Sequence, residues 1–126
     1  MRLLSSSLVA LLLALSPTAG IAAPTTSQGQ ISVAQVIEMA TLAPSDANAR
    51  MTVVAYLAGV GETAGLMVSL AEQRGAQKLR CSKSFGLDVN VALAALTTAT
   101  PNREQWVETP ATPIIIADLF RRADCH

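Results

Sequence analysis

The sequence predicts an all-α protein, a small four- or five-helix bundle stapled by one disulfide. Three observations predict it. Apolar residues recur at helical spacing in separate stretches after residue 31. The apolar residues are mostly small aliphatics, with aromatics only 3% of the chain, a composition suited to closely packed helices rather than aromatic-rich strands. The only cysteines are Cys81 and Cys125, an even pair that reads as a bridge in an oxidising compartment.

Residues 1–22 carry the expectation of export. Arg2 supplies a positive charge, and the apolar run from Leu3 to Leu15 is broken only by serines. Ser16-Pro17 and the small residues up to Ala22 follow, in the order of a secretory signal peptide. Cleavage after Ala22 would place Gly20 and Ala22 at the two positions that must be small. The run is shorter than the roughly 20 apolar residues that span a bilayer. The reading is therefore a signal peptide over 1–22, a flexible tail over 23–30 and one helical domain over 31–126. The expected destination is the periplasm, with no integral membrane segment after cleavage. Beyond Ala22 the chain holds eight Lys and Arg against nine Asp and Glu, no basic surplus of the kind nucleic-acid binding requires.

Each helix has its own signal. Ser32 with Gln35 three residues on has the spacing of a capping box, and Val33, Val36, Ile37 and Ala40 follow on one face before Pro44. Ser45 and Asp46 can cap a second, longer helix, with Met51, Val54, Leu57 and Ala58 as its stripe and Val53 and Tyr56 beside it. Gly59, Gly61 and Gly65 weaken its middle, but the apolar periodicity continues to about Arg74, so one continuous helix is expected. The glycines are then explained by a helix packing closely on that face, either within the monomer or in a homodimer through Gly61 and Gly65. A third helix is expected over 84–98, with Phe85, Val89, Ala92, Leu93 and Leu96 buried. Thr100-Pro101-Asn102 reads as a turn and 103–108 as a short helical turn around Trp106. Thr112 before Pro113 resembles an N-cap and a first-turn proline for a last helix over 114–122, ending on Arg121 and Arg122.

A Cys81–Cys125 bridge would tie that last helix to the connection before the third. It would close a loop of about 44 residues, worth on the order of 4 kcal/mol in the chain-entropy account. Free thiols and a metal site are the alternatives, the latter with only His126 to join the two thiolates.

Little in the chain points to catalysis. The single histidine is the last residue, and nine carboxylates are scattered along the sequence without a selecting pattern. Gly59-x-Gly61-x-x-x-Gly65 has the wrong spacing for a dinucleotide loop and lies in a helical segment. The expectation is a non-enzymatic protein with no cofactor and no metal. The residues best suited to a protein partner are Asn102, Arg103 and Trp106 in the stretch 98–109, because tryptophan anchors many interfaces. Burial of Trp106 in the core is the competing explanation. The basic stretch from Arg74 to Lys83, with Lys78 and Arg80, is a second candidate, for an acidic partner or anionic lipid.

These features in order resemble a known family. Ala55-Tyr56-Leu57-Ala58-Gly59-Val60 lies in a long helix, and a polar segment leads to Cys81. A helix with Val89, Leu93 and Leu96 then ends near Pro101, and a last apolar helix stops at Cys125. The pattern is similar to the Rap/Tai-type periplasmic immunity proteins over about 31–125, with Tyr56, Gly59 and Val60 in its packing motif. That resemblance implies a disulfide-containing helical protein that blocks a peptidoglycan amidase effector delivered by type VI secretion. Ser82 and Asp124 stand where proline is expected in the family. Immunity proteins diverge most at the toxin contact, so the family supplies no contact residues here.

Overall fold

A computed structural model describes residues 24–75 and 80–126. The expected signal peptide, residues 1–22, and Lys78 lie outside the described residues. Among the described residues four α-helices follow one another: α1 (Val33–Leu42), α2 (Ala47–Gln73), α3 (Val89–Ala99) and α4 (Ala111–Arg122), with a 3-10 turn at Arg103–Gln105. The all-α, single-disulfide architecture is as expected. Ile114 to Ile116 are helical, and the described residues contain no strand beyond two isolated bridges, Ser32 to Pro110 and Cys81 to Cys125.

The caps explain where the helices start. Ser32 Oγ accepts from the Gln35 N–H while Gln35 Oε1 accepts from the Ser32 N–H, each at 3.1 Å, closing the capping box of α1. Asp46 Oδ1 accepts from the Asn48 and Ala49 N–H groups to start α2. Gly75, at φ +74°, sits just past the end of α2 in the left-handed conformation that side chains resist.

Two boundaries differ from expectation. The third helix begins at Val89, because Asp88 at φ −130° caps it by accepting from the Val91 N–H. Gly86 precedes it, and its carbonyl accepts from Arg122 Nη1 at 2.7 Å. The fourth helix begins at Ala111 with Pro110 as its N-cap and no side-chain cap. Thr112 therefore lies inside the first turn, where Pro113 is tolerated because first-turn N–H groups have no helical acceptor.

The core is aliphatic. Val33, Leu96, Ala111, Ile115 and Leu119 are fully buried, with Val36, Val53, Leu57 and Ala92 close to it. On α4 the buried set Ala111, Ile115 and Leu119 recurs every fourth residue, one face of a helix. On α2 the buried set is Ala49, Val53, Leu57, Val60 and Ala64. This corrects the expected stripe: Met51 is 64% exposed and Val54 52% exposed, and only Leu57 of the four is buried. An apolar helix with few polar residues has more than one face that satisfies the spacing, and the packing of α1, α3 and α4 selects the one beginning at Ala49. The α2 helix touches α1, α3 and α4. It is long and apolar enough to cross a membrane by length and composition, yet one side of it carries the core.

The glycine face also differs from expectation. A side chain at Gly59 or Gly61 would meet nothing within 4 Å, so no helix is pressed against them. Gly65 alone has a close neighbour, the Phe85 ring at 3.8 Å, from an extended segment rather than a helix. Phe85 in turn stacks on Phe120 with ring centroids 5.7 Å apart.

Where the sequence suggested a flexible tail, Pro24–Gln30 forms a turn. Thr26 is buried, its carbonyl accepts from the Gly29 N–H, and Ser32 Oγ donates to the Pro24 carbonyl.

Candidate binding surface

The α3–α4 connection, residues 100–110, is fixed from three sides. At its start, Thr100 is buried; its hydroxyl donates to the Leu96 carbonyl at 2.6 Å and its own carbonyl accepts from Trp106 Nε1 at 2.8 Å. Across the bundle, the Trp106 carbonyl accepts from the Ala34 N–H and the Thr109 carbonyl from the Val33 N–H, so the connection seals the first turn of α1. In front, the Ser27 N–H donates to Glu108 Oε2, tying in the N-terminal turn.

Asn102, Arg103 and Trp106 thus form one unit. Asn102 Oδ1 accepts from the Glu104 N–H and caps the 3-10 turn. The Arg103 guanidinium lies 5.4 Å from the centre of the indole ring. The half-buried Trp106 packs against the hydrophobic core and fills its single donor within the fold. It is a strut of the connection more than a free anchor. Pro101, Asn102, Arg103, Glu104, Gln105, Val107 and Glu108 are the residues of the connection that face solvent.

Tyr56, Gly59 and Val60 serve different ends. Val60 is buried, Gly59 is exposed, and the Tyr56 hydroxyl pairs with Thr112 Oγ1 at 2.8 Å, joining α2 to α4. Burial pushes the Tyr56 phenol above its ordinary pKa, with the Thr112 bond opposing. This pairing gives Thr112 a role other than the cap expected of it.

The basic stretch meets the end of the chain. Cys81 and Cys125 are bridged, S–S 2.03 Å. Around them the Arg80 and His126 backbones exchange two 3.0 Å hydrogen bonds, and the Ser82 and Lys83 N–H groups donate to the Asp124 and Ala123 carbonyls. Asp124 takes φ +54°, a conformation closed to proline. Its carboxylate accepts from the Ser82 hydroxyl at 2.7 Å, which holds its pKa below the usual carboxylate range; slight burial opposes this, and His126 and Lys83 add to it. Glu108 is lowered likewise, chiefly by the Ser27 backbone N–H.

One further ion-pair cluster lies on α4. Asp118 accepts from Arg121 and from Arg122 Nε. Burial raises its pKa, but the two guanidiniums outweigh this and the net shift is downward. This cluster closes one end of a shallow groove of about 610 Å³ between α3 and α4, floored by Ala94, Ala95, Ala117 and Ile114. Among the described residues no three His, Cys, Asp or Glu side chains gather as a metal site would require.

Comparison with protein-family models, with characterised proteins and with solved structures returned no match. The functional reading therefore stands on this geometry and on the sequence.

Sequence reasoning found the two cysteines, the capping residues and the connection carrying Trp106. It missed the bond from Trp106 to the Thr100 carbonyl and the long-range hydrogen bonds of Ser27, Thr109 and Thr112. No local pattern announces those. The bridge itself is consistent with an oxidising, exported location.

Proposed function

We propose that this protein acts in the periplasm without catalysis of its own, as an immunity-type inhibitor that binds and occludes a peptidoglycan amidase. The observation that carries the proposal is the wiring of residues 100–110. The backbone bonds to Val33 and Ala34 and the Trp106–Thr100 bond support a connection that presents Arg103, Glu104, Val107 and Glu108 outward. A surface fixed before binding loses little conformational entropy on association, which lets a small interface reach high affinity. The sequence resemblance supplies the partner class, and the disulfide suits the compartment.

Co-expression of the protein with an exported amidase encoded beside it tests this. Protection from lysis, lost at least tenfold in Arg103→Glu while folding is retained, is the expected result. Failure of the wild-type chain to protect, with no hydrolase recovered in a pull-down from periplasm, would remove the reading.

A second reading, a periplasmic stress chaperone, is favoured by a different observation. Met51, Val54, Leu66 and Met67 on α2 are each more than half exposed. Suppression of client aggregation at low pH is its test, and no suppression there dismisses it.

A further inference from the structure

The connection from Arg80 to Asp88 is held in two halves of unequal strength. Its first half is braced by the Cys81–Cys125 bridge and by the backbone bonds of Arg80, Ser82 and Lys83. Its second half, residues 84–87, has no such ladder. Among the described residues its one hydrogen bond to the rest of the fold runs from Arg122 Nη1 to the Gly86 carbonyl, at 2.7 Å. The remaining attachment is apolar: half-buried Phe85 against Phe120 and Gly65, and Leu87 at the edge of the core.

That single bond depends on one carboxylate. Asp118 Oδ2 accepts from Arg122 Nε at 2.7 Å, which aims the guanidinium at Gly86. Arg122 Nη2 is buried and has no hydrogen-bond partner among the described residues, so the cation is incompletely solvated where it sits. Its counter-charge is Asp118, which Arg121 shares. Across the groove on α3, Asp118 meets Val91, Ala94, Ala95 and Thr98, none of them charged. The charged groups of the connection stand at its two ends. Arg80 and Lys83 lie at the ladder with Asp124 and His126, and Asp88 accepts from the Val91 N–H.

We propose that residues 84–87 form an acid-released strap, with Asp118 as its switch and Arg122 as its latch. Protonation of Asp118 leaves two guanidiniums, one residue apart, without their counter-charge. Arg122, its side chain already 30% exposed, then gains by turning into water, and the Gly86 bond is lost. The strap swings out from its disulfide-braced half and uncovers the Phe120 ring and the side of α2 at Gly65. Burial opposes ionisation of Asp118, but the two guanidiniums hold its carboxyl below the usual carboxylate range. The latch is therefore closed above about pH 4 and opens as pH falls through the lowered folded value. The proposal depends on neither functional reading above.

The two phenylalanines of the chain are the two rings of this contact, so fluorophenylalanine labels the strap and its seat alone. The test is fluorine NMR of the labelled protein with its disulfide intact, titrated from neutral pH downward. Circular dichroism and Trp106 fluorescence are followed alongside. Both resonances should move together toward the solvent-exposed position, with a midpoint below about pH 4, while the helical signal is kept. Asp118→Asn, which keeps an oxygen acceptor but no charge, should raise the open population roughly tenfold at neutral pH. Asp124→Asn, at an exposed residue whose left-handed backbone asparagine also adopts, should leave the rings paired at neutral pH and the midpoint unchanged. Rings that part only as the helices melt, or an Asp118→Asn protein that titrates like the wild type, would overturn the proposal. So would an Asp124→Asn protein that opens at neutral pH. The wild-type titration decides by itself should the Asp118 variant fail to fold.

Discussion

Two connections in this bundle face the same task and meet it with different chemistry. Residues 100–110 join α3 to α4 through buried hydrogen bonds, with Trp106 reaching back to Thr100 and the backbone pairing with Val33 and Ala34. Residues 80–88 lead into α3 through a covalent bond, Cys81 to Cys125, inside a short backbone ladder. The difference follows the core. The first connection begins at Thr100, one turn beyond the fully buried Leu96, and hydrogen bonds shielded from water hold it. The second lies where α2 has already left the core, after Ala64, and its apolar burial is limited to two half-buried side chains, Phe85 against Phe120 and Leu87 at the core's edge. A disulfide supplies there what packing does not, as it does in small domains generally.

The largest effect should come from beneath the hydrogen-bonded connection. Leu96→Ala removes a fully buried side chain, and about 3 to 4 kcal/mol of stability should be lost, read by urea unfolding. Alanine keeps the backbone carbonyl at 96 that accepts from the Thr100 N–H and hydroxyl, so the 100–110 amides should lose exchange protection only through the loosened core beneath them. Survival of that protection in the variant would break the link between connection and core.

Next in size is the covalent connection. Cys81→Ser with Cys125→Ser should cost about 2 to 4 kcal/mol. Amide exchange should locate the loss. Ser82, Lys83 and Cys125 should exchange much faster, while Val33 and Ala34, which donate to the other connection, should change only with global stability. Equal acceleration at both places would show one cooperative unit instead of two separately braced ones.

Trp106→Phe keeps an aromatic ring, smaller than the indole, and removes the donor to Thr100. The Thr100 carbonyl then loses a 2.8 Å bond in a residue that is 6% exposed, and about 1 to 2 kcal/mol should be lost. The ladder at Cys81 should not respond.

The sequence reveals these two connections unequally, and the reason is physical. Ser32 with Gln35, Asp46 and the even cysteine pair act through local or covalent chemistry, so each is readable where it stands. The continuous α2 was readable for the same reason, since periodicity outlasted its glycines. The buried face of that helix was not, because Met51 and Val54 satisfy helical spacing as well as Ala49 and Val53 do. Nothing short of the neighbouring helices decides between them. Asn102, Arg103 and Trp106 could be singled out by residue type. That Trp106 is a strut depends on Thr100 and on α1, whose Ala34 is 72 residues away along the chain. Ser27 meets Glu108 across 81 positions, and no spacing rule encodes such a pair.

The smallest effect is a pH response, and it compares the two connections most directly because each carries one carboxylate. Glu108 is held below the usual range by the Ser27 backbone N–H, Asp124 by the Ser82 hydroxyl. A pKa lowered in the folded state stabilises the fold above the ordinary carboxylate value, about 4, and that contribution is lost as pH falls through the folded value. Both groups are exposed, so the effect belongs in local probes rather than in global stability. Carboxyl-carbon NMR should show both titrating below the usual range in the wild-type protein. Without the disulfide, Asp124 should return toward the ordinary value as the ladder loosens and Ser82 moves away, while Glu108 should stay where it is. If Asp124 remains depressed, the backbone ladder holds Ser82 in place unaided, and the covalent bond is not what braces that connection.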